Sequence, residues 1–204
     1  MALRVPGPFN AANALAAVAT AHAMGLDLET IKAGLEGIPG VPGRFEVVPN
    51  TRGLLVVIDF AHTQAAFEAV LPFLRRVARG RVITVFGCAG DRDRTKRPVI
   101  GHLVASLSDL AIVTADNPAS EDPADIAQEI LAGMREARSR PLVLLDRREA
   151  VRRALALARP GDAVLVAGKG HETVQVIGGE RLPYSDREAV EDALRALDSG
   201  ARSG

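Results

Sequence analysis

From residue 54 onward the chain repeats one pattern: a short run apolar on consecutive positions, then a longer stretch whose apolar residues recur at helical spacing. The runs fall at 54–60, 82–86, 110–114, 142–145 and 163–167. The stretches between them fall at 65–78, 98–107, 123–135 and 147–158, with a last one at 186–197. A strand apolar on alternate positions keeps one face in water, whereas a strand apolar at every position is buried on both. Strands of the second kind belong to parallel sheets, because right-handed crossover connections lay helices over both faces. The pattern predicts an α/β fold, a Rossmann-like, mostly parallel sheet with helices on both faces, spanning about 150 residues.

The first 42 residues have a different texture and predict a short helical segment ahead of the sheet. Small apolar residues from 10 to 24 favour a helix that Gly25 ends. Asp27 is placed to cap a second helix, with Leu28, Ile31 and Leu35 on one face. Gly37-Ile38-Pro39-Gly40-Val41-Pro42-Gly43 is a cluster of breakers, where a hinge or domain boundary is expected. The expected organisation is a helical segment at 1–42, a sheet domain at 43–198 and a loose tail at 199–204.

Hydrophobic residues make up 48% of the 204, enough for a sizeable core. The 25 basic residues balance 25 acidic ones, so neither nucleic acid nor an anionic membrane is an expected partner. No apolar run reaches the roughly eighteen residues that a membrane span needs. The first residues do not follow the basic-then-apolar plan of a secretory signal. Cys88 is the only cysteine, which excludes an intrachain disulfide and a cysteine metal cluster. The expected compartment is the cytoplasm.

In open parallel sheets, ligands bind beyond the carboxyl ends of the strands. That rule selects Asp59-Phe60-Ala61-His62-Thr63, Gly87-Cys88-Ala89-Gly90-Asp91-Arg92-Asp93-Arg94, Asp116-Asn117-Pro118-Ala119 and Gly168-Lys169-Gly170-His171-Glu172. All four are rich in glycine, charge or amide: glycine lets backbone approach a ligand, and charge selects which ligand. They are expected to converge on one crevice, with Arg92 near Glu172. Arg92 can clamp a carboxylate through two parallel hydrogen bonds, worth about 1.5–3 kcal/mol when charge-assisted. Asp116 and Glu172 can accept from an ammonium group. Each has a plainer alternative: a surface ion pair for Arg92, an ordinary Asp-Asn-Pro turn for 116–118, a hydrogen-bonded loop side chain for His171.

Read together with Gly43-Arg44-Phe45-Glu46, Lys96-Arg97-Pro98 and Tyr184-Ser185-Asp186-Arg187, these strings resemble the C-terminal domain of the MurE-type Mur ligases, the UDP-N-acetylmuramoyl-tripeptide synthetases. Gly7-Pro8-Phe9-Asn10-Ala11-Ala12-Asn13 resembles the stretch that closes that family's central ATPase domain. The resemblance implies that Arg92, Asp116, Asn117, Ala119, Gly168 and Glu172 bind an amino acid, while Lys169 and His171 shape their loop. It implies a nucleotide role for Asn13 (adenine), Arg44 (phosphates), Asp59 (ribose) and His62. It assigns no catalytic residue and no metal ligand within the chain. ATP and magnesium are the implied cofactors. The implied partners are an amino acid, a UDP-MurNAc-peptide and the central and N-terminal domains of the ligase.

Three departures shape the expectation. Gln64 and Ala65 stand where the family usually has Pro-Asp, which bears on how that turn starts its helix. Ala119 stands where members that add diaminopimelate have an arginine for the distal carboxylate, so L-lysine or L-ornithine is the expected substrate. No Gly-x-x-x-x-Gly-Lys-Ser/Thr loop occurs, so the chain is expected to be a ligase fragment that is inactive alone. The alternatives are a cyanophycin- or folylpolyglutamate-type ligase of the same superfamily, or a standalone, non-catalytic module that binds an amino acid or a partner chain.

Overall fold

The computed structural model describes residues 2–135 and 137–200. Two helices come first, α1 (Pro8–Ala23) and α2 (Leu28–Gly37). Then follow β1 (Glu46–Val48), β2 (Leu55–Asp59), α3 (Gln64–Val77), β3 (Val82–Phe86), α4 (Lys96–Leu107), β4 (Leu110–Val113), α5 (Pro123–Ala132) and β5 (Leu142–Val143). The chain continues through α6 (Arg147–Leu157), β6 (Ala163–Ala167), β7 (Val174–Ile177), β8 (Glu180–Pro183) and α7 (Asp186–Gly200).

Six strands form one sheet in the order β1-β2-β6-β3-β4-β5. Every neighbour pair is parallel except β1 and β2. The expected fold class is the one observed. Alternation along each strand feeds two cores. Val57, Val82, Phe86 and Leu165 pack with Phe67 and Leu71 of α3, Ile100 and Val104 of α4, and Ile126 and Ile130 of α5. Their neighbours Val56, Ile83, Val85 and Val166 face the other way, against Val151 and Leu155 of α6 and Val190 and Leu194 of α7.

Helix starts follow local chemistry. Asp27, Thr63, Asp122 and Asp146 each accept a backbone N–H with the side chain, satisfying a donor that the first turn leaves open. At α3 the cap bond runs from Ala66 N to Thr63 Oγ1 at 3.3 Å, so the helix begins normally with Gln64 and Ala65 in place. In the first segment, Phe9 packs against Phe45 and Phe73 with ring centroids 5.7 and 6.1 Å apart, fastening α1 to the sheet domain. Ile31 is buried as its spacing suggested, but Leu28 of the same face is 60% exposed.

Three strands were not foreseen. β1 is a short antiparallel edge, and β7 and β8 form a separate two-stranded ribbon. The ribbon turns at Gly178 and Gly179, whose φ values of 59° and 82° are those a tight hairpin needs at both central positions. α7 continues through Gly200, two residues into the expected tail; 201–204 lie outside the described residues. Among the described residues no helix is long and apolar enough to cross a membrane.

Leu71, fully buried under the sheet, and Leu15, 69% exposed on α1, provide a stability contrast. Leu71→Ala is expected to cost about 2–5 kcal/mol in urea unfolding, and Leu15→Ala less than about 0.5 kcal/mol. Equal costs would mean that α1 is covered in solution.

Candidate functional site

The turns after β2, β3, β4 and β6 meet beyond the carboxyl ends of the strands around a cleft of about 460 Å³. Arg92, Asp116, Asn117, Ala119, Gly168 and Glu172 all line it. Residues 70 to 80 apart in sequence are thus brought to one place by strand order alone, since β3, β4 and β6 lie side by side.

A polar network joins the 116–119 turn to the 168–172 turn. Lys169, with no exposed side-chain surface, donates to Asn117 Oδ1 at 2.8 Å and Glu172 Oε2 at 2.7 Å, and lies 3.9 Å from Asp116 Oδ1. Asn117 Nδ2 donates to the same Glu172 oxygen at 2.9 Å. Lys169 therefore acts inside the wall, orienting Glu172, and is not a free cation at the surface. Burial pushes the Asp116 carboxyl above its ordinary value, opposed by the nearby charges of Arg147 and Lys169. Gly168 must be glycine here: its φ is +114°, and a Cβ would stand 2.5 Å from Asp116 Oδ2.

Arg92 and Lys96 supply the cleft's positive side. Neither has a hydrogen-bonding or ion-pair partner among the described residues, so both are available to an incoming anion. Lys96, from the Lys96-Arg97-Pro98 string, lines the cleft although the residues expected there do not include it. Val176 of the ribbon also lines the cleft and was missed. Its signal was the Gly178-Gly179 pair, which marks a hairpin and so places a strand before it. The ribbon holds the 116–119 turn: Ala119 N donates to Val176 O at 3.1 Å, and Gly178 N to Ala119 O at 2.8 Å. These bonds keep Ala119 at φ 54°, a left-handed conformation that costs alanine on the order of 1 kcal/mol.

The four residues expected to meet a nucleotide divide between two clefts. Asn13, Arg44 and Asp59 line a second depression of about 340 Å³, together with Phe9 and Asn10. His62 lines the first cleft, its Nδ1–H directed to Phe60 O at 2.8 Å. Phe60 stands beside both: its ring lies 4.6 Å from the His62 ring, 5.3 Å from the His171 ring and 4.6 Å from the Arg44 guanidinium carbon. The Asp59 carboxylate is already engaged, accepting Phe45 N and Ala61 N at 2.7 Å each. Its first task is to hold Phe45 at φ 45°, where the chain turns from the 37–43 linker into β1. Each oxygen keeps a further lone pair for a ligand.

Other motif residues serve the frame. Arg147 and Asp186 form a fully buried two-bond pair at 2.8 and 2.9 Å, completed by Tyr184 Oη donating to Asp186 at 2.9 Å. The Tyr184-Ser185-Asp186-Arg187 string is thus a clamp between α6 and α7. Cys88 is buried, which pushes its thiol up to about 12 and leaves it unsuited to nucleophilic work. Among the described residues no group of three or more His, Cys, Asp or Glu could hold a metal ion.

The family model described as "Mur ligase, glutamate ligase domain" matches residues 43–170. The chain belongs to the Mur ligases. A 2,6-diaminopimelate-adding UDP-N-acetylmuramoyl-L-alanyl-D-glutamate ligase of Gloeobacter violaceus is 50% identical over 189 residues, covering 92% of this chain and 38% of that protein. A ligase of the same name from Alkaliphilus metalliredigens is 48% identical over 184 residues, covering 90% of this chain and 37% of its own. A solved structure of a UDP-N-acetylmuramoyl-L-alanyl-D-glutamate–2,6-diaminopimelate ligase superposes with a TM-score of 0.73 at 37% identity, over 94% of this chain and 39% of that one. The chain spans about two fifths of the length of these relatives.

In this Mur ligase domain Asp116 ties stability to pH. Its folded-state carboxyl titrates above the ordinary 3.8, so the folded state favours the protonated acid. That contribution is complete below the unfolded value and is lost as the pH rises through the folded one. Asp116→Asn, neutral throughout, is expected to raise Tm at about pH 8 by several degrees more than at about pH 4. The same change in Tm at both pH values would contradict the burial argument.

Proposed function

We propose that this chain is the C-terminal, amino-acid-binding part of a cytoplasmic MurE-type ligase. Residues 1–42 would be the end of its central ATPase domain and 43–198 its Rossmann-like C-terminal domain. The complete enzyme would join L-lysine or L-ornithine to UDP-MurNAc-L-Ala-D-Glu in peptidoglycan precursor synthesis, consuming ATP. In such a reaction a dipeptide carboxylate takes the terminal phosphoryl of ATP, and the amine then displaces phosphate from the acyl phosphate. The observation that carries the reading is the division of charge in one cleft: unpaired Arg92 on one wall, Asp116 and Glu172 on another. That division suits a zwitterion, with the guanidinium on the carboxylate and the carboxylates on an amino group.

The residues assigned to ATP would act from the neighbouring depression: Asn13 at the base, Asp59 at the ribose and Arg44 at the phosphates. His62, in the amino-acid cleft, would reach the nucleotide past Phe60. The fit for magnesium is poor within this chain, since the described residues offer no ligand cluster and the sequence no phosphate-cradling loop. Both belong to the preceding part of such a ligase, and no step is assigned here to the metal. Water exclusion would come from closure of that part over the cleft, which leaves the amine as the nucleophile at the carbonyl.

Ala119 favours a distal ammonium over a distal carboxylate, because an arginine at that place is what would neutralise the latter. Diaminopimelate is the second reading, supported by the names of the relatives and by unpaired Lys96 on the cleft wall.

The chain by itself is expected to show no ATP hydrolysis with all substrates present, measured as phosphate release; turnover by the isolated chain would overturn the fragment reading. In the complete ligase, Ala119→Arg is expected to raise the kcat/KM ratio of diaminopimelate over L-lysine by roughly 10–100-fold. A wild-type enzyme that already prefers diaminopimelate would decide for the second reading.

A further inference from the structure

Arg92 has no partner of its own, so its position depends on what holds the turn that carries it. Asp91, next to it, sits at φ 53°, a conformation that asparagine or glycine enters more readily. Four contacts keep the turn there. Gly90 N donates to Asn117 O at 2.9 Å. Asp91 N donates to Glu121 Oε1 at 2.7 Å. In return, the Asp91 carboxylate accepts Ser120 Oγ at 2.7 Å and Ser120 N at 3.3 Å. Each of these joins the Arg92 turn to the turn that carries Asn117 and Ala119.

Glu121 is itself aimed by a buried cation. Arg97, with no exposed side-chain surface, donates Nη1 and Nη2 to the two Glu121 oxygens at 2.8 Å each, and reaches Ala89 O at 3.3 Å. Arg97 beside Glu121 holds that carboxyl down to about 2, so the bridge stays ionic across the physiological range. Arg97 also donates to Glu129 Oε2 at 2.8 Å, and Arg94 Nε to Glu129 Oε1 at 2.9 Å. Glu129 meets the 87–94 turn only through the Arg94 side chain, whereas Glu121 grips the backbone beside Arg92.

We infer that Glu121, aimed by the buried Arg97, is a positioning residue that sets the distance between Arg92 and the 116–119 turn, and so the width of the amino-acid site. The inference rests on the amino-acid-binding reading of the cleft. It assigns Arg97 and Glu121 no contact with substrate: they act through the Asp91 backbone. Other residues of the Arg97 cluster contribute to folding but leave the width alone.

The test compares Glu121→Ala with Glu129→Ala, since each takes one carboxylate from Arg97. In the complete ligase, with the amino acid it uses best, Glu121→Ala is expected to raise KM for that amino acid at least about tenfold while KM for ATP stays within about twofold. Glu129→Ala is expected to leave both constants within about twofold, and Glu121→Gln, which keeps an acceptor for Asp91 N, to recover part of the loss. Parallel rises in both constants, an unchanged amino-acid KM in Glu121→Ala, or an equal effect of Glu129→Ala would overturn the inference. Hydrogen exchange of the Asp91 amide in the 204-residue chain judges the clasp without reference to activity. Exchange at least about tenfold faster in Glu121→Ala than in Glu129→Ala is expected, and equal rates would end the inference whichever substrate the ligase takes. A complete ligase that joins no amino acid at all would instead remove the functional reading, with the exchange result still deciding the clasp.

Discussion

A sheet buried on both faces leaves its chain almost nowhere to place charge. In this protein α3, α4 and α5 cover one face of the parallel strands, and α6 and α7 cover the other. Polar side chains are therefore driven to the strand ends. Because the parallel strands run the same way, four polar turns arrive at the same rim. The cleft is a consequence of that constraint: β6 inserted between β2 and β3 puts the 168–172 turn between the turn of Asp59 and the turn of Arg92. Separate local instructions for each site residue are not required.

The charges that do lie inside are paired in ways that separate frame from function. Arg147 and Asp186 pair through two bonds, with Tyr184 on the carboxylate and Arg147 Nη1 left without a hydrogen-bond partner, and removing either charge would strand the other at a cost of about 3–5 kcal/mol. Asp116 is different. It is buried, has Lys169 only at 3.9 Å, and accepts no short hydrogen bond of its own among the described residues. Burial holds its carboxyl toward the neutral form, which an ammonium ligand would reverse.

Legibility in the sequence followed the strength of the physical signal. Strands buried at every position, such as 82–86 and 163–167, are recovered at their bounds, because double-sided burial admits few other readings. The edge strand β1 and the β7–β8 ribbon were missed: each has exposed positions, and short strands of that kind carry no distinctive period. That omission hid Val176, although Gly178-Gly179 advertised the turn. Among the charged motifs, type and spacing could not distinguish a ligand group from a brace. Arg92 and Arg97 lie in adjacent strings; one faces the cleft unpaired and the other is wholly enclosed. Asp59 has features of both, holding the Phe45 turn while lining a depression. Only partners and burial separate these cases.

The ribbon's grip on residue 119 has a wider meaning. Ala119 is held by its own N–H and carbonyl through Val176 and Gly178, so its backbone path owes nothing to the methyl group that follows from it. The wall and the lettering on it are independent. A single codon change at this place alters what the cavity presents while the masonry stands.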